Sequence, residues 1–404
     1  MADLSTCPPL TRASVVDAHA LIRPFVHRTP VLTNNTLDAL ASTPRTPEEL
    51  ASTLWATADY RPARPTLRLW FKCENMQRIG AFKARGAFHA IERLKREPGF
   101  VESGGVSKGA LALAARTAGM PAHIVMPSIS APPKVAATRG YGANVIFSGS
   151  TAAEREAVAT DVIAETGARM VPPYDHPDII LGQGTVGLEL QEQVAAAKAE
   201  GTTSSTTGTG IGAHPTAFLR APTSASASAS ASASAGLDAM IAPVGGGGLL
   251  AGVVLSAEGT GVRVFGAEPS LDGADDCARG LAQNRRIESV KTLTIADGLR
   301  TPVGQHNWQV LTGAHQDPKG QGVHGVYTVS EDQIRAALRL LLERLKVVVE
   351  PSSAVPLAVA LYNEDFRRRA EQEGGAAGWD VGLVISGGNI SLDDVSKLLA
   401  PSKA

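Results

Sequence analysis

The sequence predicts an α/β protein with two domains, each a parallel-rich twisted sheet flanked by helices. Three observations carry that prediction. Helix-period and strand-period segments alternate from residue 110 to 171 and again after residue 239. Gly119, Gly140 and Gly167 close the helices of the first run, as C-capping glycines do. The 404 residues suffice for two domains or one large one.

In order, a helical stretch from Ala13 to Phe25 leads to His27–Asn34, where Pro30 enforces extended backbone before a short strand. Residues 41–66, rich in Pro, Thr, Ala and Arg, read as a loop insertion, and Leu67–Lys72 reads as a strand. Lys83 follows Gly80, Ala81 and Phe82 and opens a helix whose apolar face is Ala87, Phe88, Ile91 and Leu94. A helix N-terminus disfavours the ammonium form, and an easily deprotonated lysine suits imine chemistry. A solvated surface lysine is the plainer reading of the same residue.

The first alternating run places helices at 110–118, 133–139 and 151–165 and strands at 122–126, 144–147 and 168–171. A turn at Pro173–Pro177 then enters a long helix. Residues 197–236 dissolve into Thr, Ser, Gly and Ala, ending in a Ser-Ala alternation from Ser224 to Ala235. Nothing bulky there offsets chain entropy, so the tract reads as a disordered insertion. Strand 239–244, the run Gly245, Gly246, Gly247 and Gly248, a helix from Leu249 and strand 262–266 follow. A helix from Glu331 to Leu345, a strand and turn at Val347–Val355, a helix through Leu361 and the strand Gly382–Ile385 complete the chain.

Composition excludes several classes. A hydrophobic content of 44% with a net charge of -1 describes a globular protein without the basic excess that nucleic acid or an anionic membrane surface requires. Cys7, Cys73 and Cys277 are odd in number and form no Cys-x-x-Cys, which argues against a disulfide framework or a cysteine zinc site. With no secretory leader or spanning segment in the sequence, a cytoplasmic location is expected.

Two further motifs join Lys83. Four glycines between a strand and a helix let backbone amides approach an anion, as a phosphate cradle does. The same run also fits Gly246-x-Gly248-x-x-Ala251 with Glu268 about 20 residues on, the outline of a dinucleotide site, or a plain tight turn. Ser386-Gly387-Gly388-Asn389 ends a buried strand, where α/β proteins place ligands.

Together these motifs, with RTPVLTN, PYDHPDIILGQGT, GAEP, GADD, TIADGLRTPVG and VEPSSA, resemble the fold-type-II pyridoxal-phosphate enzymes, in the serine racemase and threonine/serine dehydratase branch. The resemblance implies a tryptophan synthase β-like fold, with the cofactor between a large domain (1–96 and 179–404) and a small inserted one (97–178). It implies that Lys83 carries pyridoxal phosphate as an imine beside Phe82. Gly245, Gly246, Gly247 and Gly248 would hold the phosphate, and Ser386 would face the pyridine nitrogen. A neutral Ser386 favours elimination over transamination. The branch also implies a divalent cation, Mg or Ca, held by Glu268, Asp276 and the carbonyl of Ala274, all hard oxygen ligands. Arg155 falls at a substrate-contacting position of some relatives, with a solvated helix face as the equal alternative, and relatives suggest a homodimer.

Two departures stand out. Ala81 replaces a serine, and the family's Ser-Ser-Gly-Asn-His run is missing: the favoured alignment cuts it out between Val106 and Ser107, while an ungapped one puts Gly104 and Val106 at its second serine and its asparagine. That loop serves the substrate carboxylate and supplies the racemase base opposite the lysine. Its loss counts against racemisation more than against β-elimination, for which one base suffices. The expected activity is therefore dehydration and deamination of a hydroxy amino acid such as serine or threonine. A serine racemase, an impaired cofactor-binding relative and, remotely, a nicotinamide oxidoreductase stand as alternatives.

Overall fold

The computed structural model describes residues 4–51, 53–57, 60–96, 105–106, 110–130, 132–149, 152–204, 236–316 and 318–400. Two sheets organise them. The larger contains β1 (Val31–Leu32), β2 (Leu67–Cys73), β7 (Ala239–Pro243), β8 (Arg263–Pro269), β9 (Gly325–Val329) and β10 (Trp379–Ile385), in the spatial order β1-β2-β10-β7-β8-β9. Only β1 is antiparallel to its neighbour; the other pairs are parallel. The smaller, wholly parallel sheet contains β3 (Gly105–Val106), β4 (Ala122–Pro127), β5 (Asn144–Ser148) and β6 (Arg169–Met170), in the order β5-β4-β3-β6.

Parallel strands need crossover connections that cover both faces, so central strands become apolar along their whole length. β7 and β10 are buried at every residue. Their side chains alternate between two cores. Ile241, Val381 and Leu383 pack with the helix Pro351–Tyr362. Met240, Ala242 and Val384 pack with the helix Gly248–Ala257 and the long helix Pro177–Ser204.

Several local expectations differ in detail. Gly119 and Gly167 take the left-handed conformation (φ +70° and +68°), but Gly140 stays inside the helix Pro132–Gly140, and Gly142 makes that turn instead at φ +80°. The stretch read as a loop insertion contains the helix Pro47–Leu50, started by a Thr46–Glu49 capping box. Val347–Val349 joins no sheet. The long helix runs through residues 197–204 of the low-complexity stretch. The Ser-Ala alternation and the segment after Val106 lie outside the described residues. No helix among the described residues is long and apolar enough to cross a membrane.

Candidate active site

β2, β10 and β7 are adjacent and parallel, so their C-terminal ends open on one edge of the sheet. Each end delivers one of the motifs. β2 leads to Lys83, β10 ends beside Ser386, and β7 leads to Gly245. Ligands of open α/β sheets bind at this edge, because the strands stop there and loops diverge.

The approach to Lys83 is locked to the end of β10. Phe82 donates its N–H to Ser386 O at 3.0 Å, Gly388 donates to Gly80 O at 2.9 Å, and Ala81 bridges Gly387. Asn389 Nδ2 donates to Ile79 O at 3.0 Å, holding a β-branched residue at φ +60°. Such a residue tolerates this region only when its surroundings impose it. Lys83 is the first residue of the helix Lys83–Leu94, as expected, and its side chain is exposed with Nζ 4.5 Å from the centre of the Phe82 ring.

Ser386 is buried, its Oγ 3.1 Å from Ser353 Oγ. Ser353 in turn accepts from Gly387 N at 2.8 Å and lies 2.7 Å from Gly387 O. Two neutral hydroxyls thus occupy the end of the strand, and neither forces a neighbouring nitrogen to carry a proton.

In the glycine run, Gly247 takes φ +91° as the residue before the helix that Gly248 begins. A Cβ on Gly246 would collide with the Tyr174 ring, and one on Gly245 would approach Gly298 O to 2.8 Å. One on Gly248 would come within 2.7 Å of Tyr174 O. Bare backbone is required by this packing as well as by any anion. Among the described residues, no hydrogen bond uses the amides of Gly246 or Gly247 as donors, the pattern a helix start offers an anion. The loop has supports that the sequence motifs do not mark. Asn307, fully buried, donates from Nδ2 to Gly246 O at 2.6 Å, and Gly304 donates to the same carbonyl at 3.0 Å. Asp175 accepts the amides of Gln305, His306 and Asn307. Nothing in the local pattern around Asn307 marks it, because its partner is 61 residues away. Burial raises the Tyr174 phenol's pKa, Asp175 adds to the rise, and the Arg155 guanidinium opposes it.

The predicted cation ligands gather at the end of β8. Glu268, wholly buried, accepts the amides of Cys277 and Ala278 at 3.1 and 3.0 Å, in the first turn of the helix Asp276–Gln283. Asp276 accepts Val303 N at 3.0 Å, and Ala274 is buried beside them. Burial, and then the Asp276 carboxylate, push Glu268 well above the usual carboxylate range. Asp276 is pushed up to about 6, chiefly by burial. Two buried carboxylates that resist ionisation are a donor set suited to a hard divalent cation. Val303 and Gly304 tie this site to the glycine loop, since Val303 binds Asp276 and Gly304 binds Gly246.

Comparison with known proteins adds a family. A family described as "Pyridoxal-phosphate dependent enzyme" matches residues 56–222 and 225–387. Serine racemase of Arabidopsis thaliana is 33% identical over 396 residues, covering 96% of each chain. L-threo-3-hydroxyaspartate ammonia-lyase of Saccharomyces cerevisiae is 31% identical over 397 residues, also covering 96% of each. The crystal structure of serine racemase from Dictyostelium discoideum is similar with a TM-score of 0.70 and 32% identity, covering 95% of this chain and 99% of that one.

Proposed function

The chain belongs to the pyridoxal-phosphate dependent enzyme family, and from that premise we propose that it catalyses β-elimination from a small hydroxy amino acid, giving a 2-oxo acid and ammonia. The observation that supports this most is the delivery of Lys83, Ser386 and the four-glycine loop by three adjacent parallel strands. When bound, the cofactor supplies an electron sink for the charge that develops at the substrate Cα. Lys83 is the residue we assign to hold it, and its amine is the group that would take the Cα proton. The amides of Gly245 to Gly248 would hold the phosphate, with Phe82 flanking Lys83. Ser386 would offer the ring nitrogen a neutral hydroxyl, which would limit how far the sink is strengthened. Glu268, Asp276 and the Ala274 carbonyl would hold a divalent cation, and Val303 and Gly304 would pass its ordering effect to the loop.

The nicotinamide reading is set aside. The family match stands against it, and the Glu268 carboxylate is engaged with two helix amides instead of being available to a ribose hydroxyl. Racemisation is the second reading, favoured by relatives named serine racemase and opposed by the shortened segment after Val106.

The test is release of 2-oxo acid from L-serine, L-threonine and L-threo-3-hydroxyaspartate, measured beside interconversion of L- and D-serine. Release from at least one of them, lost in Lys83→Ala, is expected. Interconversion without release makes the racemase reading the correct one. No turnover by protein that binds the cofactor leaves an impaired relative.

A further inference from the structure

Arg85 stands two residues after Lys83, so the two side chains leave the helix about 200° apart. Lys83 is exposed, while Arg85 is wholly buried on the opposite side. Its guanidinium is held between two carboxylates from different elements. Nε and Nη2 donate to Glu74 at 2.7 and 2.8 Å, just beyond the end of β2. Nη1 and Nη2 donate to Glu189 at 2.9 and 2.8 Å, on the long helix Pro177–Ser204. Thr185 Oγ1 at 3.2 Å and His27 O at 3.3 Å take further bonds from the same group.

The two acids are fixed in their turn. Thr29 Oγ1 donates to Glu74 at 2.5 Å, and the buried Lys72 ammonium donates to Glu189 at 2.7 Å. Lys72 also reaches Gln193 at 2.8 Å and Thr29 O at 2.9 Å. Lys72 and Arg85 against Glu74 and Glu189 make a neutral buried set, with His19 Nε2 at the edge, 3.2 Å from Glu189. Two paired bonds to carboxylates in different elements define both the rotation of the helix about its axis and its position along it. Close backbone contact lies beside the clamp, since a Cβ on Gly182 would come within 2.7 Å of Gly86 Cα.

We propose that Arg85 is a positioning residue for Lys83: by gripping Glu74 and Glu189 on the buried side of the helix, it fixes where the lysine amine stands on the exposed side. This rests on the functional reading above, in which Lys83 carries the cofactor. An ordinary buried ion pair would contribute to stability alone. A positioning residue also sets the rate at which Lys83 reacts.

The test is the rate at which pyridoxal phosphate attaches to Lys83 in protein freed of cofactor, trapped with borohydride and located by peptide mapping. Arg85→Lys keeps the charge and loses the planar fork. Arg367→Lys is the control, because Arg367 is equally buried, paired with Glu364 at 2.7 Å and remote from Lys83 in sequence. Attachment in Arg85→Lys is expected to slow at least tenfold, and kcat to fall while KM changes less than about threefold. Arg367→Lys is expected to lower the melting temperature and leave the attachment rate within about twofold of wild type. Should Arg85→Lys not fold, Glu74→Gln, which keeps the shape of the acceptor, takes its place with an expected threefold slowing or more. A folded variant that attaches at the wild-type rate overturns the proposal, and so does equal slowing in Arg367→Lys. No attachment at Lys83 in the wild type overturns the functional reading itself.

Discussion

His89 lies on the Lys83 helix, six residues beyond the lysine, and is buried with Nδ1 2.6 Å from Asp178 O. A carbonyl accepts, so Nδ1 carries a proton, and the second nitrogen takes one only as the pH falls towards the ring's pKa. Burial is the largest influence on it and lowers its pKa from 6.5 to about 4, against the raising effect of that hydrogen bond. The folded protein therefore binds this proton more weakly than the unfolded chain does. Stability from this residue is complete above pH 6.5 and is lost as pH falls towards 4. At about 1.36 kcal/mol per pH unit, the loss amounts to about 3 kcal/mol over that window. His89→Gln removes the titration and keeps a donor for Asp178 O. Urea unfolding of both proteins from pH 8 to pH 4.5 gives the difference curve. The variant is expected to be less stable by about 1–2 kcal/mol at pH 8, as ordinary core substitutions are. That gap closes or reverses by pH 4.5. Parallel curves at all pH values would show that His89 does not titrate within the window, and the reasoning from burial would fail.

Three other outcomes follow from the site. Gly246→Ala places a methyl group against the Tyr174 ring and is expected to weaken pyridoxal phosphate binding at least tenfold in an absorbance titration; unchanged affinity would remove this loop from the cradle. Mg or Ca at 100 times its dissociation constant should stabilise the wild type by about 2.7 kcal/mol, seen as a higher melting temperature that chelator reverses, and Glu268→Gln should abolish the response. Ser386→Ala is expected to retain the cofactor while kcat for 2-oxo acid release falls about tenfold, with the absorbance spectrum of the bound cofactor shifted; wild-type kcat and spectrum would deny contact with the ring.

The alternating pattern was legible because helix and strand periods and cap chemistry are local. The helix 152–166, the strands at 122–127 and 239–243, and the start of a helix at Lys83 all follow from neighbours within a few residues. The expected cap at Gly140 gives way to Gly142 for the same reason: two glycines close together can each end a helix, and the one that does depends on where the chain must turn. Val347–Val349 has the composition of a strand, yet pairing needs a partner edge, and local pattern supplies no information about that.

By itself the sequence determined the chemistry that the site can offer: a lysine at a helix start, four glycines after one strand, a serine after another, and two acids near the end of a third. Only the tertiary structure decided that β10 enters between β2 and β7, bringing motifs some 300 residues apart to one edge of a sheet. It also decided that Asn307 supports the glycine loop and that Arg85 is gripped by Glu74 and Glu189. Such placements come from the pairing order of strands and from burial, which obliges charged groups to find partners wherever the fold carries them.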